Sequence, residues 1–161
     1  MAGSDLGSVN GSSNGCNVNF KHNENCYNTQ RLKMVTYNLH GIKQGEHFLL
    51  ELLLNHDIIC VQEHWLSVAE FNKLIDFNKD FTVIATSAME DKLCRGVLHG
   101  RPFGGLAVFI RNSTIKQKLY TVYKNERCII LCVNELMIIN VYMPCNDGAI
   151  FEEALRRIRE M

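Results

Sequence analysis

Two strand-forming runs separated by one helix-length segment constrain this chain more than any other feature. Val35-Thr36-Tyr37-Asn38 lies in a strand predicted from Leu32 to Asn38. Leu39-His40-Gly41 is the turn that leaves it, with Gly41 free to take a positive φ. Ile58-Ile59-Cys60-Val61-Gln62-Glu63 lies in a second strand, predicted from Asp57 to Glu63. Between them, Glu46 to His56 carries Phe48, Leu49, Leu50, Leu52, Leu53 and Leu54. Apolar residues on most of a helix's circumference predict broad burial against a sheet. Strand, helix, strand in that order favours two parallel neighbours joined by a right-handed crossover. Ligands in such units collect at the carboxyl ends of the strands, which places Asn38 and Glu63 on one rim. An amide and a carboxylate there suit a hard cation and a phosphate.

The remaining segments extend this unit. Ser67 and Glu70 form a capping box for a second helix reaching about Asn78, with Phe71, Leu74, Ile75 and Asn78 on one face. Phe81 to Ala85 reads as a strand, and Thr86 to Phe103 as a long, mixed, basic loop of the kind that is either functional or disordered. The unbroken apolar run Gly104 to Ile110 predicts a central buried strand. Lys116 to Tyr123 alternates and reads as a less buried one. Arg127 to Val133 and Leu136 to Tyr142 predict a hairpin turning at Asn134-Glu135, ended by Pro144. Ala149 to Met161 reads as a helix with Glu152/Arg156 and Glu153/Arg157 pairs and Phe151, Leu155 and Ile158 on its apolar face. Residues 1–30, rich in Asn, Ser and Gly, cannot repay their ordering entropy by burial and read as a disordered tail. The folded domain is then residues 31–161.

Composition narrows the partners little. The 17 basic and 17 acidic residues cancel, so net charge selects no ligand class. Lys92, Arg95, Arg101, Arg111, Lys116, Lys118, Lys124 and Arg127 are opposed only by Asp91 and Glu126 between 91 and 127. That run is either a phosphate-facing patch or an ordinary solvated surface. Seven cysteines without a C-x-x-C pair, three of them (Cys60, Cys128, Cys132) in apolar runs, read as reduced thiols of an intracellular protein. Cys16, His22 and Cys26 match no zinc spacing. The amino terminus has no secretory pattern, and no apolar run is long enough to span a membrane. Asn10-Gly11-Ser12 and Asn112-Ser113-Thr114 therefore carry no weight as glycosylation sites.

Glu63 is the sharpest candidate for chemistry. A carboxylate ending a buried strand needs a cation or a water-filled cleft, or else it caps the next segment of chain. Asn38 either joins it or closes its strand into a turn. Tyr142 ends a third strand, where its phenol reaches the same rim or marks the core boundary. His40 and His64 each follow a candidate closely, and a histidine in such a place is structural unless a ligand engages it. The phosphate-loop, dinucleotide-fingerprint and nucleophile-elbow motifs are absent. Arg101-Pro102-Phe103-Gly104-Gly105 leads into a strand and so lacks a helix N-terminus for an anion.

Four motifs in this order resemble the endonuclease/exonuclease/phosphatase superfamily, most of all the apurinic-endonuclease-like domain of LINE-type non-LTR retrotransposons. They are Tyr37-Asn38-Leu39-His40-Gly41, Val61-Gln62-Glu63-His64-Trp65-Leu66, Gly100-Arg101-Pro102-Phe103-Gly104-Gly105 and Asn140-Val141-Tyr142-Met143-Pro144. The resemblance spans about Leu32 to Met161 and implies an α/β (α+β) fold, a β-sandwich flanked by helices. It implies Mg²⁺- or Mn²⁺-dependent hydrolysis of phosphodiesters in DNA, and a nuclear location. By resemblance Glu63 ligates the metal, Asn38 positions metal, phosphate or water, and Tyr142 hydrogen-bonds the phosphate. Arg101, His40 and His64 are the implied nucleic-acid contacts. The family's later G-D-x-N and S-D-H motifs do not occur, and Cys145 stands where an Asn is common. The expectation is an amino-terminal half-domain, weak or inactive alone, that self-associates through an exposed sheet edge. Two other readings stay open: a non-enzymatic remnant that binds nucleic acid or protein, and a phosphatase or phosphodiesterase of the same superfamily.

Overall fold

The computed structural model describes residues 31–94, 97–98, 100–143, 148, 152, 155–156 and 159–160. The readings made on the amino-terminal tail, on Pro144 and Cys145, and on most of the carboxyl-terminal helix lie outside them. Helical backbone at 148, 152, 155–156 and 159 matches the predicted helix where it is described. The chain runs β1 (Met34–Asn38), α1 (Ile42–Asn55), β2 (Ile58–Gln62), α2 (Asn72–Ile75), β3 (Phe81–Thr86), β4 (Leu93–Cys94), β5 (Val97–Leu98), β6 (Leu106–Arg111), β7 (Leu119–Lys124), β8 (Cys128–Val133) and β9 (Leu136–Val141).

β1 and β2 are parallel across α1, with Asn38 level with Gln62. β6 inserts antiparallel between β2 and β3, giving a first sheet of order β1-β2-β6-β3. The second sheet is the meander β7-β8-β9, with a two-residue turn at Asn134-Glu135. Strand parity sorts the first sheet's side chains into two layers. Ile59 and Val61 of β2 and Ala107 and Phe109 of β6 pack with Ile42, Leu49 and Leu53 of α1. Ile58 and Cys60 of β2 and Leu106, Val108 and Ile110 of β6 face Ile129, Leu131, Val133 and Ile138 of the second sheet. β6 is buried almost throughout, as a central strand should be. The result is a two-sheet α/β sandwich with helices on the outer face of the first sheet, the predicted fold class.

Three expectations fail in detail. α1 starts at Ile42 rather than Glu46, and its apolar girdle is not wholly buried: Phe48, Leu50 and Leu54 are exposed, Leu54 at 78%. One sheet can cover only one side of a helix lying on it. The second helix shrinks to a 3₁₀ turn over Val68–Glu70 followed by α2; its capping box forms. Leu74 is buried there, but Ile75 is half exposed and Phe77 packs in its place. The loop from Thr86 to Phe103 contains a 3₁₀ turn at Glu90–Lys92 and the β4–β5 hairpin.

The basic run does not form one patch either. Antiparallel strands send its members to opposite ends of the sandwich. Arg127 stands beside Tyr142, whereas Arg111 sits at the far end of β6. There its guanidinium donates to the Leu53 and His56 carbonyls at 2.7 and 2.8 Å and pairs with Asp57. It closes the carboxyl end of α1, so it is not available to a phosphate.

Candidate active site

Glu63 follows β2 directly and sits in the left-handed region at φ 56°. A non-glycine residue there departs from the strand path, and the turn carries its carboxylate to the rim. Three side chains converge on it from three elements. The Tyr142 hydroxyl, just past β9, donates to one carboxylate oxygen. His40 Nδ1 lies 3.3 Å from the other. The Asn38 side chain, at the end of β1, lies near enough to the carboxylate to lower its pKa, while its Oδ1 accepts from the His40 backbone N–H at 3.0 Å. Burial tends to raise the Glu63 carboxyl, but Tyr142, Asn38 and His40 together outweigh it and hold the pKa below its ordinary value. The side chain keeps 14% of its surface accessible, so an ionised carboxylate faces solvent from a fixed position.

The strand ends stay aligned because a ladder continues past them. Leu39 N–H donates to Gln62 O, Gly41 N–H to Glu63 O and Ile42 N–H to His64 O. Gly41 is required here. It has φ 94°, and a Cβ on it would come within 2.5 Å of the Trp65 ring.

Two amides that sequence reading passed over brace the rim from below. Asn140 of β9 is buried, and its Nδ2 donates to Val61 O and Ala107 O, both at 3.1 Å, on two adjacent strands of the other sheet. Its Oδ1 accepts from Gln62 Nε2 at 2.6 Å, and Gln62 also donates to Thr36 Oγ1. The first sheet is thus tied to the strand that delivers Tyr142. A signal existed: Asn140 shares parity with Ile138 in an otherwise apolar run, so its amide had to point inward.

Of the six predicted site residues, Asn38, Glu63, Tyr142 and His40 come together. Arg127 joins them, its guanidinium 5.9 Å from the Tyr142 ring centre. Arg101 is exposed on the loop before β6, and no contact among the described residues ties it to Glu63. His64 is a correction. It is fully buried, its Nε2–H donates to Thr86 O at 3.1 Å, and its Nδ1 accepts from Leu66 N–H at 3.0 Å. Burial pushes its pKa down to about 4, against backbone hydrogen bonds that raise it. Such an imidazole is neutral and internal and cannot touch nucleic acid. Gly104-Gly105, which the resemblance set beside Arg101, serves the same packing: a Cβ on Gly105 would lie 2.4 Å from the His64 ring.

The donor set at the rim fits a weakly held hard cation. Among the described residues, no three His, Cys, Asp or Glu side chains cluster as a metal cage. Mg²⁺ accepts one or two carboxylates with water and phosphate oxygens in the other positions, which one carboxylate beside an amide oxygen can begin to supply. No helix among the described residues is long and apolar enough to cross a membrane.

The two-sheet α/β sandwich is a fold shared with solved nuclease structures. The chain is similar to a 3′ phosphatase from Neisseria bound to a product DNA hairpin, at 18% identity and a TM-score of 0.53 over 78% of this chain and 48% of that one. It is similar to an AP endonuclease from Archaeoglobus fulgidus, at 18% identity and 0.52 over 80% and 49%. An AP endonuclease from Leishmania major matches at 15% identity and 0.51 over 78% and 44%. This chain therefore spans about half the length of the structures it matches. No protein-family model and no curated protein matches it.

Proposed function

We propose that these residues form the metal- and phosphate-binding half of a nuclease site that hydrolyses phosphodiester bonds in DNA. The observation that carries this reading is the Glu63 carboxylate, held by Asn38, His40 and Tyr142 at the mouth of the sandwich. The solved structures of similar fold, named for action on DNA, support it. The four sequence motifs favour a retrotransposon-type endonuclease over a phosphatase.

Glu63 and Asn38 would hold a Mg²⁺ or Mn²⁺ ion. Bound there, the ion supplies positive charge to the phosphate as the bond to phosphorus changes. Asn38 fixes the carboxylate's orientation. Tyr142 reaches a phosphate oxygen from the same position in which it now donates to Glu63, and Arg127 adds a cation beside it. Hydrolysis also moves two protons, one off the attacking water and one onto the departing sugar oxygen. The His40 imidazole, bonded to the carboxylate through Nδ1, leaves its other nitrogen for one of these transfers at most, and His64 is internal. General acid–base help of this kind is worth roughly 10²–10⁴ in rate, so the residues described here account for binding and charge stabilisation, with slow turnover. That shortfall also favours, as a second reading, a domain that binds nucleic acid without cutting it.

The deciding experiment is nicking of supercoiled plasmid with and without Mg²⁺, beside Glu63→Ala, with circular dichroism on both proteins. Mg²⁺-dependent nicking lost in Glu63→Ala is the expected result. A folded chain that binds DNA with unchanged affinity after Glu63→Ala and never nicks would leave the binding reading alone standing.

A further inference from the structure

We propose that Trp65 is a stacking platform for an unpaired base of the strand whose phosphate meets Glu63, an inference that rests on the nuclease reading above. Trp65 is the chain's sole tryptophan. Its backbone is left-handed, at φ 58°, a conformation that a bulky residue adopts only when its surroundings impose it. Two neighbours share the departure: Glu63 at φ 56° and His40 at φ 51°. Three of the four non-glycine residues with positive φ among the described residues therefore lie at this spot, the fourth being Asn134 in the β8–β9 turn.

That backbone sets the indole beside two features. One is the rim. The His40 ring centre is 4.8 Å from that of Trp65, and His40 Nδ1 is 3.3 Å from Glu63. One histidine ring thus separates indole from carboxylate. Trp65 also lines a cavity of about 870 Å³ with Lys43, Glu46, Glu70, Lys73 and Phe77, where Lys73 is paired with Glu70. Glu63 does not line it. The volume is ample for one base and its sugar. Trp65 is only half-buried, although the space to complete its burial exists. The residue is held rigidly all the same: its ring covers Gly41, where no Cβ would fit, and its backbone N–H donates to Gly104 O at 3.0 Å.

The chemistry selects the occupant. A carboxylate–amide pair suited to a cation-bound phosphate, one ring away from an indole that lines a cavity, fits a planar heterocycle joined to a phosphate. Every base has a π-face, so stacking of this kind tolerates sequence. An aromatic peptide side chain would use the indole but not the rim.

The sole tryptophan makes its own probe. Single-stranded oligodeoxythymidylate is titrated in EDTA, so that binding is read without hydrolysis, and two signals are followed: indole emission and the anisotropy of a labelled oligonucleotide. Saturable quenching at the concentration where anisotropy rises is expected. Trp65→Ala should weaken binding about five-fold or more, and Trp65→Phe should hold it within about two-fold. Binding by anisotropy with unchanged emission, or an affinity in a folded Trp65→Ala equal to that of the parent chain, overturns the platform while leaving the nuclease reading intact. The emission signal needs no variant, so misfolding of Trp65→Ala does not blunt the test. No binding by either signal, in EDTA and again with Ca²⁺ in its place, overturns the platform and the nucleic-acid reading together.

Discussion

At the scale of single residues, two buried polar side chains do different work. His64 is kept neutral by burial and by accepting from Leu66 N–H. Its folded pKa, about 4, lies below the ordinary value of 6.5. Protonation therefore favours the unfolded chain: the His64 contribution is complete above about pH 6.5 and is lost as pH falls from there towards 4. Thermal melts across that window should show a steeper acid loss for the parent chain than for His64→Gln, whose amide can still donate to Thr86 O. Parallel slopes would refute this. Asn140 donates to two carbonyls on neighbouring strands. Asn140→Leu should cost about 1–3 kcal/mol through the lost bonds and the unpaired Gln62. Asn140→Asp should cost more, because a carboxylate cannot donate and would be buried as a charge. Urea titrations of the two variants give the order.

At the scale of elements, the junction of β1 and α1 is closely packed at Gly45. Gly45 lies in α1, where alanine would ordinarily gain up to about 1 kcal/mol of helix propensity. A Cβ there would meet Leu39 Cδ2 at 2.4 Å and the Leu39 carbonyl oxygen at 2.8 Å. The side chain can turn away, but the backbone oxygen cannot move without disturbing the turn that carries His40. The clash should outweigh propensity, and Gly45→Ala should destabilise by more than about 1 kcal/mol. Leu54, 78% exposed on the opposite side of the same helix, offers the control: Leu54→Gln should stay within about 0.5 kcal/mol. If both substitutions prove neutral by denaturant melt, the helix is not seated on Leu39.

At the scale of the whole molecule, two small sheets leave four outer strands: β1 and β3 in the first, β7 and β9 in the second. Leu32, Met34 and Phe48 are exposed beside β1, and Tyr120, Val122, Met137 and Ile139 along β7 and β9. Open edges flanked by apolar side chains are templates for pairing. Association of the isolated chain should therefore rise with concentration in size-exclusion chromatography with light scattering. Met34→Lys, at a position 56% exposed on the β1 edge, should shift it towards monomer. A parent chain that stays monomeric throughout would count against the open edge.

The sequence alone determined the parallel β1–β2 unit, the central place of β6 and the shared rim of Asn38 and Glu63. Each follows from local hydrophobic period and one topological rule, which act over a few residues. Tertiary structure decided which way His64 and Trp65 face, because Glu63 and Trp65 leave the strand with positive φ and break the alternation from which direction is read. It likewise decided that Arg111 closes a helix and that Asn140 ties two sheets together. Those roles depend on partners between 33 and 79 residues away in the chain, and no local pattern encodes contacts at that separation.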